Sequence, residues 1–411
     1  MPGTALPLTS RFNRAGLADA ADRLAVAIAV VMPWSTSATS ILLVIWFCAI
    51  VPASNWADVR REILTPAGGL PVLLFLFGVA GMLWADVSVA ARLDGLKPFL
   101  KLLVIPLLIA QFRRSDWAMA VFKAYLYSCI ALLLVSYLLV LLSLPFGKEY
   151  GVAVKNAASQ SGQFATCLLG LLFLAHDAMT RRQWAWMAGM LAVMLGMLAN
   201  MFFIATGRTA LVVILVLLVL FAVKKLSTRG MILLLACAVA VSAVSWISSS
   251  YLRDRTMQIW TEAQQYDESN ARNSSGERLE FAKKSIGFIR EAPLLGHGTG
   301  TIYSLFFKSS IGQTGAAASA TTNPHNQTFS VAIQLGLAGA ALLWAMWLAH
   351  LWLFRGGGLI EWIGFVVVMQ NIVGSAFNAH LFDFLQGWIY VVGFGVAAGA
   401  ALRRRDASLT S

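Results

Sequence analysis

The residues best suited to chemistry lie where a polar stretch of the chain meets an apolar one. His325 and Asn326 follow Pro324, which closes a polar stretch at about 248–324 and precedes an apolar stretch at about 326–354. Histidine changes its protonation state near neutral pH, so His325 is a candidate general base. The alternative is a loop histidine that caps the helix beginning at Asn326. Composition alone leaves both interpretations open.

Two arginines are candidates for binding an anion. Arg208 interrupts a tight turn, residues 205–210, between two apolar stretches, and Arg278 lies in the long polar stretch. A guanidinium group suits phosphate because it binds two oxygens side by side. A base at His325 and arginines at a leaving diphosphate would suit glycosyl transfer from a lipid diphosphate. The sequence has no Walker-type phosphate loop, and its carboxylates are scattered among basic residues, so we predict no metal and no cofactor.

The rest of the chain predicts membrane helices that carry these residues. The chain has 411 residues, of which 59% are hydrophobic, and it contains runs without charge such as 211–223 and 231–247. A bilayer span needs about 20 apolar residues, and runs this long and continuous do not fit barrel strands. We therefore predict an all-α polytopic membrane protein with about 12 transmembrane helices and a helical periplasmic loop domain.

The apolar runs define the spans, and the basic residues between them define the sides. Basic residues recur at alternate breaks, and the positive-inside rule makes that side cytoplasmic. The chain then divides into residues 1–248 with nine spans and a cytoplasmic N-terminus, a large periplasmic loop at 249–325, and residues 326–411 with three spans and a cytoplasmic tail. The predicted spans are 19–34, 37–53, 66–84, 91–111, 116–145, 157–178, 183–205, 208–224, 230–248, 326–353, 358–378 and 382–402.

The net charge of +12 does not indicate a nucleic-acid partner, because the basic residues sit in pairs between spans. A second basic group is predicted on the outward side, where arginine and lysine are disfavoured. Within this group we interpret Lys148 as a solvated loop charge. Arg92 could be a functional charge or, alternatively, a side chain that only reaches the membrane interface. The outward group consists of Arg92, Lys97, Lys101, Lys148, Lys155, Arg208 and Arg278, together with His325.

Charge and sidedness suggest further candidate substrate contacts, namely Asn326, Lys155, Arg92 and Lys97. His297 stands among glycines and is a weaker candidate for substrate binding. Asp383 lies in the last outward turn, where it could orient a histidine or accept a hydrogen bond from a sugar hydroxyl. A plain role at the start of a helix is the alternative for Asp383.

The long polar stretch predicts a small helical cap over the membrane helices. Residues 251–266 have the pattern of an amphipathic helix. Ser274 and Glu277 fit a capping box that opens a second helix. The stretch 312–322 is rich in Gly, Ala, Ser and Thr, so we expect it to be mobile.

Three motifs occur in a fixed order on the predicted outward side. Thr-Gly-Arg-Thr-Ala occupies 206–210, and Glu277-Arg278 precedes Glu-Ala-Pro-Leu-Leu-Gly-His-Gly at 291–298. His325-Asn326 is followed, after nine residues, by Gly-Leu-Ala-Gly at 336–339. With twelve spans and one large outward loop, this pattern resembles the bacterial O-antigen ligases and the related O-antigen polymerases. Asn326 is a departure, since other members carry Ser there.

The resemblance implies a membrane glycosyltransferase of lipopolysaccharide biosynthesis. A ligase moves completed O-antigen polysaccharide from undecaprenyl diphosphate to a sugar hydroxyl of lipid A–core, without a metal, at the periplasmic face of the bacterial inner membrane. His325 would then activate the acceptor hydroxyl, Arg208 and Arg278 would hold the diphosphate, and in-line attack would invert the anomeric centre. The alternatives are an O-antigen polymerase, which joins lipid-linked repeat units, and a polysaccharide-lipid transporter. The large loop immediately before His325 favours the ligase.

Overall fold

The computed structural model describes residues 14–144 and 149–410, and every regular element in these ranges is helical. Lys148 lies outside the described residues, as does the N-terminal tail before Arg14. Short 3-10 helices occupy Lys101–Leu103 and Gly315–Ala318. The α-helices are α1 (Arg14–Val31), α2 (Thr36–Ala53), α3 (Trp56–Ile63), α4 (Pro66–Ala80), α5 (Val89–Leu100), α6 (Val104–Arg114), α7 (Ala118–Leu141), α8 (Ala157–Thr180), α9 (Trp184–Phe203), α10 (Arg208–Lys225), α11 (Thr228–Ser248), α12 (Ser250–Ser269), α13 (Ser274–Glu291), α14 (Ile302–Ser310), α15 (Gln327–Leu353), α16 (Leu359–Ser375) and α17 (Phe384–Thr410).

Seven of these helices are long and apolar enough to cross a membrane, namely α2, α7, α8, α9, α11, α15 and α17. An eighth span results if α3 and α4, which meet at 83°, count as one. The chain is therefore an all-helical, multi-pass membrane protein, as predicted. The remaining predicted spans are helical too, but α16 is short and α10 carries three basic residues. The span predicted at 91–111 is divided into α5 and α6 by the 3-10 helix at Lys101–Leu103. The count of twelve stays a prediction.

The C-terminal helices form the centre of the bundle. Among the candidate spans α15 and α17 are the most buried, whereas α11 is the least buried and packs mainly against its neighbours α10 and α12. Helix α17 runs along α6, and α15 packs on α4 and α16. The segments on either side of α15 and α17 are therefore anchored to the buried centre of the bundle.

Helix α15 is broken at Gly336, where φ is +64° and the helical hydrogen bonds are interrupted. Inside a membrane the released backbone groups find no water, so they need partners from the protein. The non-helical segment 293–298 provides them, and Thr299 continues the contact onto α4 by donating to Gly81 and Gly78. The four bonds run from His297 N to Ile333 O (2.9 Å), Gly298 N to Gln334 O (2.8 Å), Leu337 N to Pro293 O (2.7 Å) and Ala338 N to Leu294 O (3.3 Å).

We expect Gly336→Ala to destabilise the protein. A Cβ at this position would lie 2.1 Å from the carbonyl oxygen of Leu294, and the left-handed backbone alone costs about 1–3 kcal/mol for a residue with a side chain. The measurement is the thermal midpoint in detergent. Gly170→Ala in α8 is the matched control, because nothing lies within 4 Å of its Cβ position. Equal midpoints for the two variants would contradict the role of the break.

The predicted cap is a helical unit that rests on α15. Its core consists of aromatic and aliphatic side chains from α13 and α14 packed against Ile333 of α15. Helix α12 covers residues 251–266, as predicted, and turns back onto α13 through Asn270, which has a left-handed backbone. The cap therefore holds α13 beside the start of α15.

Two details of the cap differ from prediction. Asn273, not Ser274, caps α13, since its side chain accepts a hydrogen bond from Gly276 N. The carboxylate of Glu277 instead accepts from Ser319 and Arg272, so the capping box is wrong. The stretch 312–322, expected to be mobile, is tied to the cap by hydrogen bonds to Asn270, Glu277 and Lys284.

Candidate active site

A polar cavity of about 360 Å³, which we call the arginine cavity, opens at one end of the helix bundle. It lies between the start of α8, the start of α10, the cap helices α12 and α13, and the turn between α16 and α17. Three arginines, Arg208, Arg255 and Arg278, line it together with Asn378 and His380. Across the described ranges, no three His, Cys, Asp or Glu side chains are grouped as a metal site would require.

Arg208 is fixed at the start of α10 by close packing of the preceding turn. The hydroxyl of Ser161 on α8 donates to Ala205 O, and Gly207 approaches Ser161 so closely that a Cβ would lie 2.8 Å from it. The α10 N-terminus has no side-chain cap, so its free N–H groups and the Arg208 guanidinium line the same cavity. A helix N-terminus with an arginine is a favourable place for an anion.

Arg208 and Arg278 are two like charges in a cavity that Glu149 also lines, but neither arginine forms an ion pair with that carboxylate. Neither side chain has a hydrogen bond or ion pair to any described residue. Loss of hydration, and then the charge of Arg208, lower the pKa of Arg278, while Glu262 opposes the effect. The Glu262 carboxylate is itself engaged by the N–H and hydroxyl of Ser275, at 3.0 and 2.7 Å. The cavity is thus prepared for an anionic ligand.

Arg255 is a third cavity arginine, which the sequence analysis missed. Its guanidinium lies 5.9 Å from the centre of the Tyr251 ring, and its Nε is buried without a partner among the described residues. A buried guanidinium nitrogen without a partner favours a ligand that can accept a hydrogen bond. The available signal was spacing, because Arg255 follows the buried Leu252 by three positions and shares its helix face.

His325 is held in a left-handed backbone conformation, with φ of +56°, by a network of amides. Asn323 Oδ1 accepts from the backbone N–H of His325 at 2.9 Å, and Asn323 Nδ2 donates to Asn378 Oδ1 at 2.7 Å. The same Asn378 oxygen lies 3.2 Å from His325 Nδ1. The imidazole stacks on Phe281 of α13, with ring centres 6.1 Å apart. His325 therefore meets the arginine cavity through Asn378.

The surroundings of His325 favour its neutral form. Partial burial, and then the charge of Arg278, lower its pKa from the ordinary value of 6.5. The Asn378 contact and the charge of Glu277 act in the opposite direction but are weaker. At neutral pH the imidazole can therefore accept a proton, which is what a general base requires.

The sequence from α9 into α15 matches a known family. Residues 193–344 match the family model described as O-antigen ligase, and this stretch carries Arg208, Arg255, Arg278 and His325. The match over this stretch supports a place for the chain in the O-antigen ligase and polymerase family. The resemblance seen in the sequence is thereby confirmed. No curated protein sequence matches the chain.

The family match indicates the class of chemistry for the cavity. The O-antigen ligase and polymerase family indicates a membrane glycosyltransferase-like enzyme, in the setting of lipopolysaccharide biosynthesis. In this chain, Arg208, Arg278 and Asn378 line the cavity, and His325 contacts Asn378 from outside the lining. The other candidate residues have different surroundings.

Asn326 and Asp383 both act at the start of a helix. Asn326 Oδ1 accepts from Phe329 N at 3.0 Å and caps α15, while its Nδ2 donates to Ala376 O at 3.3 Å. Asp383 Oδ1 accepts from Gln386 N at 3.0 Å at the start of α17. For Asp383 this is the alternative role considered from the sequence, and neither residue lines the arginine cavity.

His297 and Arg92 are occupied by backbone carbonyl groups. His297 Nε2 lies 2.9 Å from Phe288 O, which ties the segment after α13 back onto that helix. Arg92 donates to Met82 O at 2.9 Å and to Val87 O at 3.0 Å, and so closes the turn between α4 and α5. Neither side chain lines the arginine cavity.

The two predicted lysine contacts also lie away from the arginine cavity. Lys97 is exposed and pairs with Asp94 on the same helix at 2.6 Å. Lys155 is exposed and borders a separate small cavity of about 40 Å³, which Asp383 and Trp34 also line. Their roles as substrate contacts remain predictions.

Proposed function

We propose that the protein is an O-antigen ligase that transfers O-antigen polysaccharide from undecaprenyl diphosphate to lipid A–core. The observation that carries this proposal is the grouping of two arginines without an ion pair among the described residues, Arg208 and Arg278, near a histidine whose lowered pKa favours its neutral form, at one end of a membrane bundle. In the proposed topology this end faces the periplasm of the bacterial inner membrane, with 249–325 as the periplasmic loop, 1–248 before it and 326–411 after it.

The proposed reaction is a single inverting displacement. His325 removes the proton from a sugar hydroxyl of the acceptor, and the oxygen attacks the anomeric carbon of the donor glycan. The bond from that carbon to the diphosphate oxygen breaks, and undecaprenyl diphosphate leaves with the electron pair. Arg208 and Arg278 stabilise the negative charge that grows on the diphosphate. Because attack comes from the face opposite the leaving group, the anomeric configuration inverts.

An apolar cavity near the site supports a lipid-linked donor. It has a volume of about 530 Å³ and lies among α8, α9, α10 and α11, with leucine, valine and methionine side chains on its walls. Its outer end reaches Leu252 and Thr256, which flank the cavity residue Arg255 on α12. A polyprenyl chain in this cavity would place its diphosphate beside the arginines. A soluble sugar nucleotide would make no use of such a surface.

The polymerase alternative shares the donor and differs in the acceptor, which would be a second lipid-linked repeat unit. The cap immediately before His325 favours the ligase, because it gives a large acceptor a surface outside the membrane.

The transporter alternative would need a polar path through the bundle, whereas the arginines concentrate at one end.

The deciding experiment supplies the purified protein in lipid nanodiscs with an undecaprenyl-diphosphate-linked glycan and one acceptor at a time. We expect product with lipid A–core and none with a second lipid-linked repeat unit. Deletion of the gene should leave long undecaprenyl-linked chains that never reach lipid A. Single repeat units on the core in the deletion strain would instead identify a polymerase, and absence of transfer to either acceptor would reject both enzymes.

A further inference from the structure

We propose that Asn378 is the positioning residue of His325, holding the imidazole in the tautomer that is protonated at Nδ1 and free to accept a proton at Nε2. This inference rests on the proposed function, because it assigns the residue that prepares the base for that reaction. Asn378 lies 53 positions after His325, in the turn between α16 and α17.

A chain of hydrogen bonds fixes the orientation of each amide in turn. The backbone N–H of His325 can only donate, so the Asn323 atom 2.9 Å away must be its oxygen. The other Asn323 atom is then the NH₂ group, which donates to Asn378 at 2.7 Å. The Asn378 atom that receives this bond must therefore be its oxygen. That oxygen can only accept, so the 3.2 Å contact to His325 requires a proton on Nδ1.

The turn that carries Asn378 is anchored independently of His325. Asn378 N donates to Gly374 O at 3.0 Å at the end of α16. Further along the turn, Phe382 N donates to Gln327 Oε1 at 3.1 Å, and Lys101 Nζ donates to Asp383 O at 2.8 Å. The turn is thus fastened to α15 and to the break between α5 and α6. His325 is positioned against the core of the bundle and not by its own loop alone.

A neutral amide orients the base without adding charge. The charged groups that face His325 are Arg278 and Glu277, both on α13, and the Glu277 carboxylate is engaged by Ser319 and Arg272. The uncharged Phe281 ring covers one face of the imidazole. An aspartate at position 378 would accept from Nδ1 as the asparagine does, but its charge would stabilise the imidazolium form. Asparagine therefore keeps His325 neutral down to a lower pH.

The test compares Asn378→Asp and Asn378→Ala with the wild type, in the nanodisc transfer assay, across pH 5 to 9. In Asn378→Asp we expect the acid limb of the kcat/KM profile to move about 1–3 units to higher pH, because an adjacent opposite charge raises the pKa of His325. In Asn378→Ala we expect kcat to fall about 10²-fold, as misplacement of a reacting group does, with little change in the KM for donor.

A control separates the charge at position 378 from any charge in the cavity. Asn156 lines the same cavity and caps α8 by accepting from Ser159 N at 2.8 Å, a role that aspartate also performs. Asn156→Asp should leave the acid limb where it is. A purely structural role for Asn378 predicts lower thermal midpoints and an unshifted acid limb, and that pattern would overturn the proposal.

A second readout does not depend on transfer. The rate at which an imidazole-directed acylating reagent modifies His325, followed by mass spectrometry against pH, reports the pKa of this histidine directly. We expect the midpoint to rise in Asn378→Asp relative to the wild type. An unchanged midpoint overturns the positioning role. A raised midpoint in a protein that transfers no glycan upholds the His325–Asn378 pairing and overturns the proposed function instead.

Discussion

Replacing His325 by alanine should lower the rate of glycan transfer by about 10²–10⁴-fold, the usual contribution of a positioned general base. The effect should fall on kcat, because the donor diphosphate is held by the arginines and not by the imidazole. In cells that lack the native gene, the variant should leave lipopolysaccharide without O-antigen, while undecaprenyl-linked chains accumulate. The measurement is the initial rate with purified protein and the lipopolysaccharide profile of the cells.

The backbone at His325 calls for a second variant. Its φ of +56° is unfavourable for alanine, whereas asparagine tolerates this conformation better. His325→Asn should therefore insert and fold at wild-type levels and still fail to transfer. His176→Ala is the matched control, since His176 lies on α8 at the edge of Phe221 and outside the arginine cavity. O-antigen on lipid A–core at wild-type levels in His325→Asn would rule out His325 as the base.

The membrane helices were predictable because a bilayer imposes one strong requirement, a long apolar run. Each predicted span falls on helical chain, including α15 and α17, although the span predicted at 91–111 is divided into α5, a 3-10 turn and α6. The break in α15 was not predictable from hydropathy. Hydropathy does not distinguish Gly336 from the other glycines in the apolar runs. Its positive φ depends on the distant segment 293–298, which forms hydrogen bonds with the residues around it.

The site was predictable where a charge stands out against an apolar background. Arg208 and His325 were conspicuous for that reason, and the structure brings them to one region through Asn378. Arg255 and Asn378 were missed because polar residues are ordinary in a loop helix and in a turn. Their positions depend on how α12 and the turn before α17 pack, which sequence spacing does not determine.

Replacing Arg208 or Arg278 should separate donor binding from stability. Arg208→Lys and Arg278→Lys retain the charge but lose the two-pronged geometry, so we expect weaker binding of undecaprenyl diphosphate by about tenfold or more. Glutamine at either position should weaken binding further. The probe is undecaprenyl diphosphate itself, and the measurement is the rise it produces in the thermal midpoint of the protein in nanodiscs. Arg290→Lys, an exposed arginine on α13 outside the cavity, is the control.

Without ligand, the glutamine variants should be at least as stable as the wild type. The charge of Arg208 lowers the pKa of Arg278, which means that the two guanidinium groups repel each other across the cavity. Removing either charge relieves that repulsion, so Arg208→Gln and Arg278→Gln should melt at or above the wild-type temperature while losing the response to undecaprenyl diphosphate. Both arginines are then retained for the ligand at a cost to the fold, as expected at a binding site. A glutamine variant that melts well below the wild type without ligand would show that the arginines serve the fold, and the assignment of the cavity to a diphosphate would fail.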